Sequence, residues 1–509
     1  MKTQTQMQYL ARGARVCRYI YDIAQKIIYK VPVLMGIIIA GAIAVRLWGI
    51  NWGLPLRYAH IDESVVIFYA FRFFTGDLNP HVFFDYPTLF LYLIFGAMSV
   101  YFFAGNLMGF FPSLEQFAGK YFHGDISDIY VLARLVSVAF AVATVYLVYR
   151  LGKLVYSEKT GVLAAVFMAF NCLHVLHSHY ATVDVAALFM VLLSVFFMVK
   201  YFTGDNTKDF LIACFALGLA VATKYYPVIF SVILFVVIPL LKKTRLSKRM
   251  LSIYAAGMVL VIAGFFAGCP YALLDYKSFL SRFTTIFVNV VLPERLSIPG
   301  QLYLIGRHVF TGVGPVLSVA FLVSMLFYFK TSVDVLLFSF FLLYVVFIFG
   351  WRSIGAHYLF PLYPFMFIIT ARGMEYVSRK THRHVYTAVA AIFLMTALPC
   401  IIHTGYVLTR EDTRRVAYGW VKENVPAGSR ILRFPYTTEF SPSDNYVVKV
   451  DWEYKVPPAE YKNYDYIIMS GEMKEEPASG YKFELIKRFY GSQISGFHNP
   501  EVFIYRAAP

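Results

Sequence analysis

Charge is what this chain lacks most. Only 15% of its 509 residues are Asp, Glu, Lys or Arg, against 59% hydrophobic ones, which excludes a soluble globule. Cysteine is scarce too. Cys17, Cys172, Cys214, Cys269 and Cys400 are scattered, mostly within or beside apolar blocks, and none falls in the polar C-terminal region. Neither a metal-ligand spacing nor a disulfide framework is expected from them. No internal repeat is evident. A cleavable signal peptide is not apparent either: residues 1–30 form too long and too polar a lead before the first apolar block, which reads as a retained span.

The apolar residues come in blocks of about 20, the length that crosses a bilayer as helix. Candidates fall near 31–50, 86–104, 129–149, 160–176, 184–202, 209–223, 226–241, 251–268, 314–329, 333–350, 358–371 and 385–403. Arg150, Lys153 and Lys159 read as a short cytoplasmic loop, on the same side as the N-terminus. An even number of spans must separate the two, so one of the first three blocks does not cross. The block 86–104, which follows Asp85-Tyr86-Pro87, is assigned to a re-entrant or interfacial helix on the outer side. This predicts a polytopic α-helical membrane protein with about eleven spans.

The formal net charge of +16 invites a nucleic-acid reading, but its distribution argues against one. The basic residues gather as Arg12, Arg15, Arg18, Lys26 and Lys30, as Lys242, Lys243, Arg245, Lys248 and Arg249, and as Arg372, Arg379, Lys380 and Arg383. Basic loops that stay cytoplasmic beside anionic headgroups account for this pattern. Membrane lipids are therefore expected partners and nucleic acid is not. The N-terminal residues 1–30 are expected inside. Residues 31–404 are expected to form the membrane domain with an outer loop at 51–128. Residues 405–509 are expected outside as a small α/β domain. In that tail, Arg410 to Asn424 reads as helix, and the runs Tyr464–Met469 and Val502–Tyr505 read as strands.

The outer stretches carry the chemistry. Asp62-Glu63, within His60-Ile61-Asp62-Glu63, places two carboxylates where the chain leaves the bilayer, beside an interfacial helix expected over 64–74. They fit either a catalytic site or a helix N-terminus favoured by its dipole. Asp184 follows His174, His177 and His179 and opens a span, as a functional acid or as an N-cap. Lys224 sits in a turn between two apolar helices, as an anchor for a lipid phosphate or as a snorkelling lysine. Arg352, His357 and Tyr358 offer further phosphate donors, with Arg352 equally suited to anchoring at the interface.

Taken in order, these elements resemble the GT-C glycosyltransferases, especially the protein O-mannosyltransferase and lipid A aminoarabinose transferase groups. The resemblance rests on Asp62-Glu63, Gly76-Asp77 with Pro80, Asp85-Tyr86-Pro87, Ala133-Arg134-Leu135, Asp184, Thr223-Lys224 and His357-Tyr358-Leu359-Phe360-Pro361. It covers about residues 50–430 and extends to Asp412-Thr413-Arg414 and Asn424-Val425-Pro426. Two positions depart from the aminoarabinose enzymes: Asp85-Tyr86 stands where they carry Glu-Lys, and Val65-Val66 where they carry an arginine.

The resemblance implies a sugar donor on a polyprenyl phosphate and a glycan, lipid or protein acceptor. It implies Asp62, with Glu63 beside it, as the catalytic carboxylate. Lys224, Arg352, His357 and Tyr358 would bind the donor phosphate. Asp85 and Asp184 would shape the acceptor side or hold a divalent cation; no other cofactor is implied. A lipid or glycolipid transporter and a non-catalytic accessory protein of the same fold are the rival readings.

Overall fold

A computed structural model describes residues 31–245, 247–291, 297–327, 329–349, 351, 354–381, 384–441, 443–471, 482–492 and 498–507. The expected cytoplasmic segment 1–30 and Arg352 lie outside the described residues. The chain is mainly helical. Among the described residues, five helices are long and apolar enough to cross a membrane, including Ser127–Val155, Val183–Gly204 and Lys248–Gly268. The bent pair Ile298–Val313 and Pro315–Met325 makes a sixth when counted as one span. Length and composition thus fall short of eleven spans. Several expected spans are short or broken instead. Residues 160–176 divide into Glu158–Ala169 and Cys172–His177, and 226–241 passes through 3-10, π and α turns.

One end of the bundle gathers the polar loops. Ser127–Val155 and Val183–Gly204 both start there, because Glu63 bonds Arg134 of the first and the Ala181 amide just before the second. Thr207–Val221 returns to the same end and presents Lys224 to Asp184. That helix packs closely on Lys248–Gly268 through two glycines. A Cβ on Gly218 would lie 2.2 Å from the Val261 oxygen, and one on Gly264 would lie 2.4 Å from the Phe215 oxygen. Small residues of this kind let membrane helices approach backbone to backbone.

The helix Leu89–Leu107 is 19 residues long and also passes the length test for a span. The Leu89 amide donates to the Ala222 oxygen at 3.0 Å and the Thr88 hydroxyl to the Gly268 oxygen at 2.9 Å. Further along, the Tyr101 hydroxyl donates to Asp128 at the start of Ser127–Val155. Both parts are tied to the same end of the bundle.

The tail folds as a helix, Thr413–Asn424, capped by the Asp412 carboxylate, on a five-stranded sheet. The strands are β1 (Arg430–Arg433), β2 (Val447–Val450), β3 (Tyr466–Met469), β4 (Phe483–Phe489) and β5 (Val502–Ala507), in the order β2-β1-β3-β5-β4. The first three pair in parallel; β5 runs antiparallel to β3 and β4. Ala417, Val421, Ile431, Ile468, Val502 and Ile504 fill the space between helix and sheet.

One expectation is overturned. Cys172 and Cys400, 228 residues apart, form a disulfide. Their spacing carried no such signal, because the two cysteines meet only after the Cys172–His177 turn packs on the last long helix, His384–Leu408. Cys214 and Cys269 are free and buried.

Candidate active site

The acidic pair divides between two roles. His60 precedes the helix Ile61–Arg72, so Asp62 and Glu63 occupy its first turn, where the exposed backbone N–H groups favour carboxylates. Successive residues on a helix diverge by about 100°. Glu63 turns inward, fully buried, and both its oxygens bond Arg134 at 2.7 Å. The Ala181 amide adds a third bond at 3.0 Å. Arg134 in turn donates to the Ile50 and Trp52 oxygens and lies 4.7 Å over the Trp52 ring. Glu63, expected beside Asp62 among the catalytic groups, has both oxygens engaged and anchors the loop. Asp62 faces outward, exposed, with no hydrogen bond or ion pair among the described residues.

Lys224 is caged. Its ammonium meets Asp184 at 2.5 Å, with side-chain exposures of 11% and 13%. Three tyrosine rings surround it: Tyr358 at 4.6 Å, Tyr226 at 5.9 Å and Tyr86 at 6.0 Å. Faces of this kind attract a cation once water is excluded. A snorkelling lysine would point to open solvent, and this one does not. The cage is positioned from three directions. The Tyr225 hydroxyl donates to the Phe84 oxygen at 2.8 Å, holding residues 84–86 against the turn. The 3-10 helix Ala356–Leu362 delivers Tyr358, whose oxygen accepts from the Tyr344 hydroxyl.

His357 stands beside Tyr358, and its ring lies 5.2 Å from that of His177. Nδ1 of His177 is buried without a hydrogen-bond partner among the described residues. Burial lowers the pKa of His60 and His357 and takes that of His177 down to about 3, with His357 adding to the effect. These rings are neutral at physiological pH. Burial raises the Tyr86 pKa far out of range, helped by the charges of Asp62 and Asp184, so Tyr86 stays a phenol. The Asp62 charge is felt at His60, Tyr86 and His357, and that of Asp184 at the same three. Asp62, Asp184, Lys224, His357 and Tyr358, from four separate stretches of sequence, thus converge on one region.

Asp85 does not join them as a metal ligand. Arg282, from the helix Tyr276–Val291, grips its Oδ1 at 2.5 and 2.9 Å. Asp184 is likewise taken by Lys224. Among the described residues no three His, Cys, Asp or Glu side chains gather as a metal site, so of the two alternatives for Asp85 and Asp184 the divalent cation has no such donor set there.

The sequence reading missed the contribution of the tail. His498 inserts against Trp52 at 4.3 Å between ring centres and meets the Tyr180 hydroxyl at 3.0 Å. Arg414, paired with Asp412, donates to the Ala59 oxygen. Glu439 accepts from the Arg57 and Tyr58 amides. Asp412-Thr413-Arg414 stood out in the sequence, but nothing there tied it to residue 59.

Residues 127–267 match the sequence profile of the family described as dolichyl-phosphate-mannose-protein mannosyltransferase. In structure, the chain is similar to ArnT from Cupriavidus metallidurans, solved bound to undecaprenyl phosphate and in the apo state. Each comparison gives a TM-score of 0.55 at 11% identity over 92% of this chain and 97% of that one. The fold is GT-C. A looser likeness, with a TM-score of 0.45 at 12% identity, joins 86% of the chain to 69% of the Archaeoglobus fulgidus oligosaccharyltransferase in its apo form. No curated protein sequence matches significantly. Within the GT-C frame, the profile match takes in Arg134, Asp184 and Lys224, whereas Asp62 and the His357-Tyr358 pair lie outside it.

Proposed function

We propose that this protein is a glycosyltransferase that moves a sugar from a polyprenyl-phosphate donor to an acceptor at the extracytoplasmic face of a cell membrane. The observation that carries the reading is an exposed Asp62, without an ion pair among the described residues, near the same region as a buried Lys224 in a tyrosine cage. Asp62 takes the proton of the acceptor hydroxyl as its oxygen attacks the anomeric carbon. The bond from that carbon to the phosphate oxygen breaks, and the lipid phosphate leaves with the electron pair. Lys224, with His357 and Tyr358 beside it, meets the charge that grows on this phosphate. Donors set in advance in a poorly hydrated site need little reorganisation as the bond breaks. Attack opposite the departing phosphate inverts the anomeric centre.

The disulfide supports the orientation. Cys172 and Cys400 lie towards the same end of the bundle as the site, and disulfides persist on the oxidising side of a membrane. That supports a reading in which the site and residues 405–509 face outside and the basic loops face inside. The ArnT neighbour binds undecaprenyl phosphate, which supports a lipid phosphate as the leaving group here. The acceptor is a glycan, a lipid or a protein.

The test uses the purified full chain in nanodiscs with undecaprenyl-phosphate-linked hexoses and pentoses, following release of undecaprenyl phosphate. Release by the native protein and its loss in Asp62→Asn are expected. Binding of undecaprenyl phosphate without release from any donor, together with movement of labelled lipid between leaflets, would replace this reading with the transporter.

A further inference from the structure

Resting on that reading of Asp62, we infer that Glu439 of the C-terminal domain is a positioning residue for the catalytic loop. One carboxylate holds two consecutive backbone amides there. Oε2 accepts from the Arg57 N–H at 3.0 Å and Oε1 from the Tyr58 N–H at 2.7 Å. Both residues lie within five positions of Asp62. The intervening Ala59 is held by Arg414 through its oxygen at 3.1 Å. The loop reaches Asp62 from residue 51 without regular helix or strand, so its course is set by such contacts.

Glu439 is itself well placed to hold. It follows β1 on a tight turn in which the Thr437 hydroxyl donates to the Phe434 oxygen at 2.6 Å and Tyr436 takes a left-handed φ of 58°. The Phe434 amide is tied to β3 through the Ile468 oxygen. Beside it, Tyr58 packs edge-on to Trp452 at 5.0 Å, and Arg433 lies over the same indole. The sheet is thus a rigid support, and Glu439 carries its position to the loop. The Asp62 charge is also felt at Tyr436, so this turn lies near Asp62.

A displaced base should slow the chemical step and leave donor binding intact. The test is hydrogen exchange at the Arg57 and Tyr58 amides of the full chain in nanodiscs, paired with turnover of an undecaprenyl-phosphate-linked sugar. In Glu439→Ala, exchange should quicken on the order of tenfold or more, since charge-assisted bonds are lost. Turnover should fall up to about a hundredfold with donor KM unchanged. Glu439→Gln keeps the shape and one acceptor oxygen, so it should fall between the native protein and Glu439→Ala in both measurements. Glu484→Gln, on exposed β4, should change neither. Unchanged exchange in Glu439→Ala overturns the clamp. Faster exchange with native turnover overturns its positioning role. Asp62→Asn, run alongside, separates the two readings: native turnover there removes the base, while exchange still reports the clamp itself.

Discussion

Glu63 and Arg134 meet as a two-pronged ion pair, both at zero exposure, with each prong at 2.7 Å. Every oxygen of the carboxylate is used, and the arginine also holds the Ile50 and Trp52 carbonyls. The pair fixes the loop before Asp62 to the long helix Ser127–Val155 and to the start of another. Removing one partner strands a buried charge, at a typical cost of about 3–5 kcal/mol. Glu63→Ala and Arg134→Ala should therefore unfold at clearly lower temperature than the native protein, as read by thermal unfolding in detergent. A native unfolding temperature in either variant would show the pair to be dispensable.

Asp62→Asn should behave in the opposite way. The side chain is exposed and makes no ion pair among the described residues, so the unfolding temperature should not move. Turnover should drop about a hundred- to ten-thousandfold, the usual worth of general-base help. Steady-state rates on the purified variant check this. A rate within threefold of native, by about half a logarithmic unit on that scale, would assign the proton to another group.

Glu63 and Asp62 also mark how far sequence reaches. That the pair opens a helix, that Asp184 and Lys224 belong with it, and that Tyr466–Met469 is a strand were all legible, because apolar periodicity and isolated charge are local signals. The split of the pair was not, since it depends on which face of Ile61–Arg72 meets Arg134. Nor were Cys172–Cys400 or the grip of Glu439 on residues 57 and 58, each joining parts of the chain more than two hundred residues apart. Nor was the pairing of Asp85 with Arg282, which is remote from it in sequence.

Acid should weaken the fold. Burial lowers the pKa of His60, and takes that of His498 well down, so both are neutral when folded. In the unfolded chain each titrates near about 6.5. Below that pH the unfolded state binds protons that the folded state does not, so stability rises with pH up to about 6.5 and is level above it. The unfolding temperature should fall between pH 7 and pH 5. His498→Gln cannot titrate and should lose part of that fall; an identical pH profile would show that His498 does not contribute.

The disulfide should be stabilising and reducible without loss of the site. It closes a loop between residues 228 apart, and such links typically contribute about 2–4 kcal/mol. Cys400→Ser should lower the unfolding temperature. In the native protein, a maleimide should label Cys172 and Cys400 only after reduction. Labelling of both without reductant would mean the thiols are free.

Lys224 gives the sharpest test of the donor side. Its ammonium is held by Asp184 and three tyrosine faces, so a lipid phosphate would meet a cation already fixed in place. A hydrogen bond to a charged group contributes about 1.5–3 kcal/mol, which corresponds to about a ten- to hundredfold change in affinity. Lys224→Ala should weaken binding of undecaprenyl phosphate by that factor, measured by titration in nanodiscs. Lys224→Arg keeps the charge, but a planar guanidinium does not fit a cage built around a compact ammonium, so it should recover only part of the loss. Asp62→Asn, far simpler in its contacts, should bind the lipid as the native protein does. Native affinity in Lys224→Ala would leave the cage as a structural ion pair and move the phosphate elsewhere.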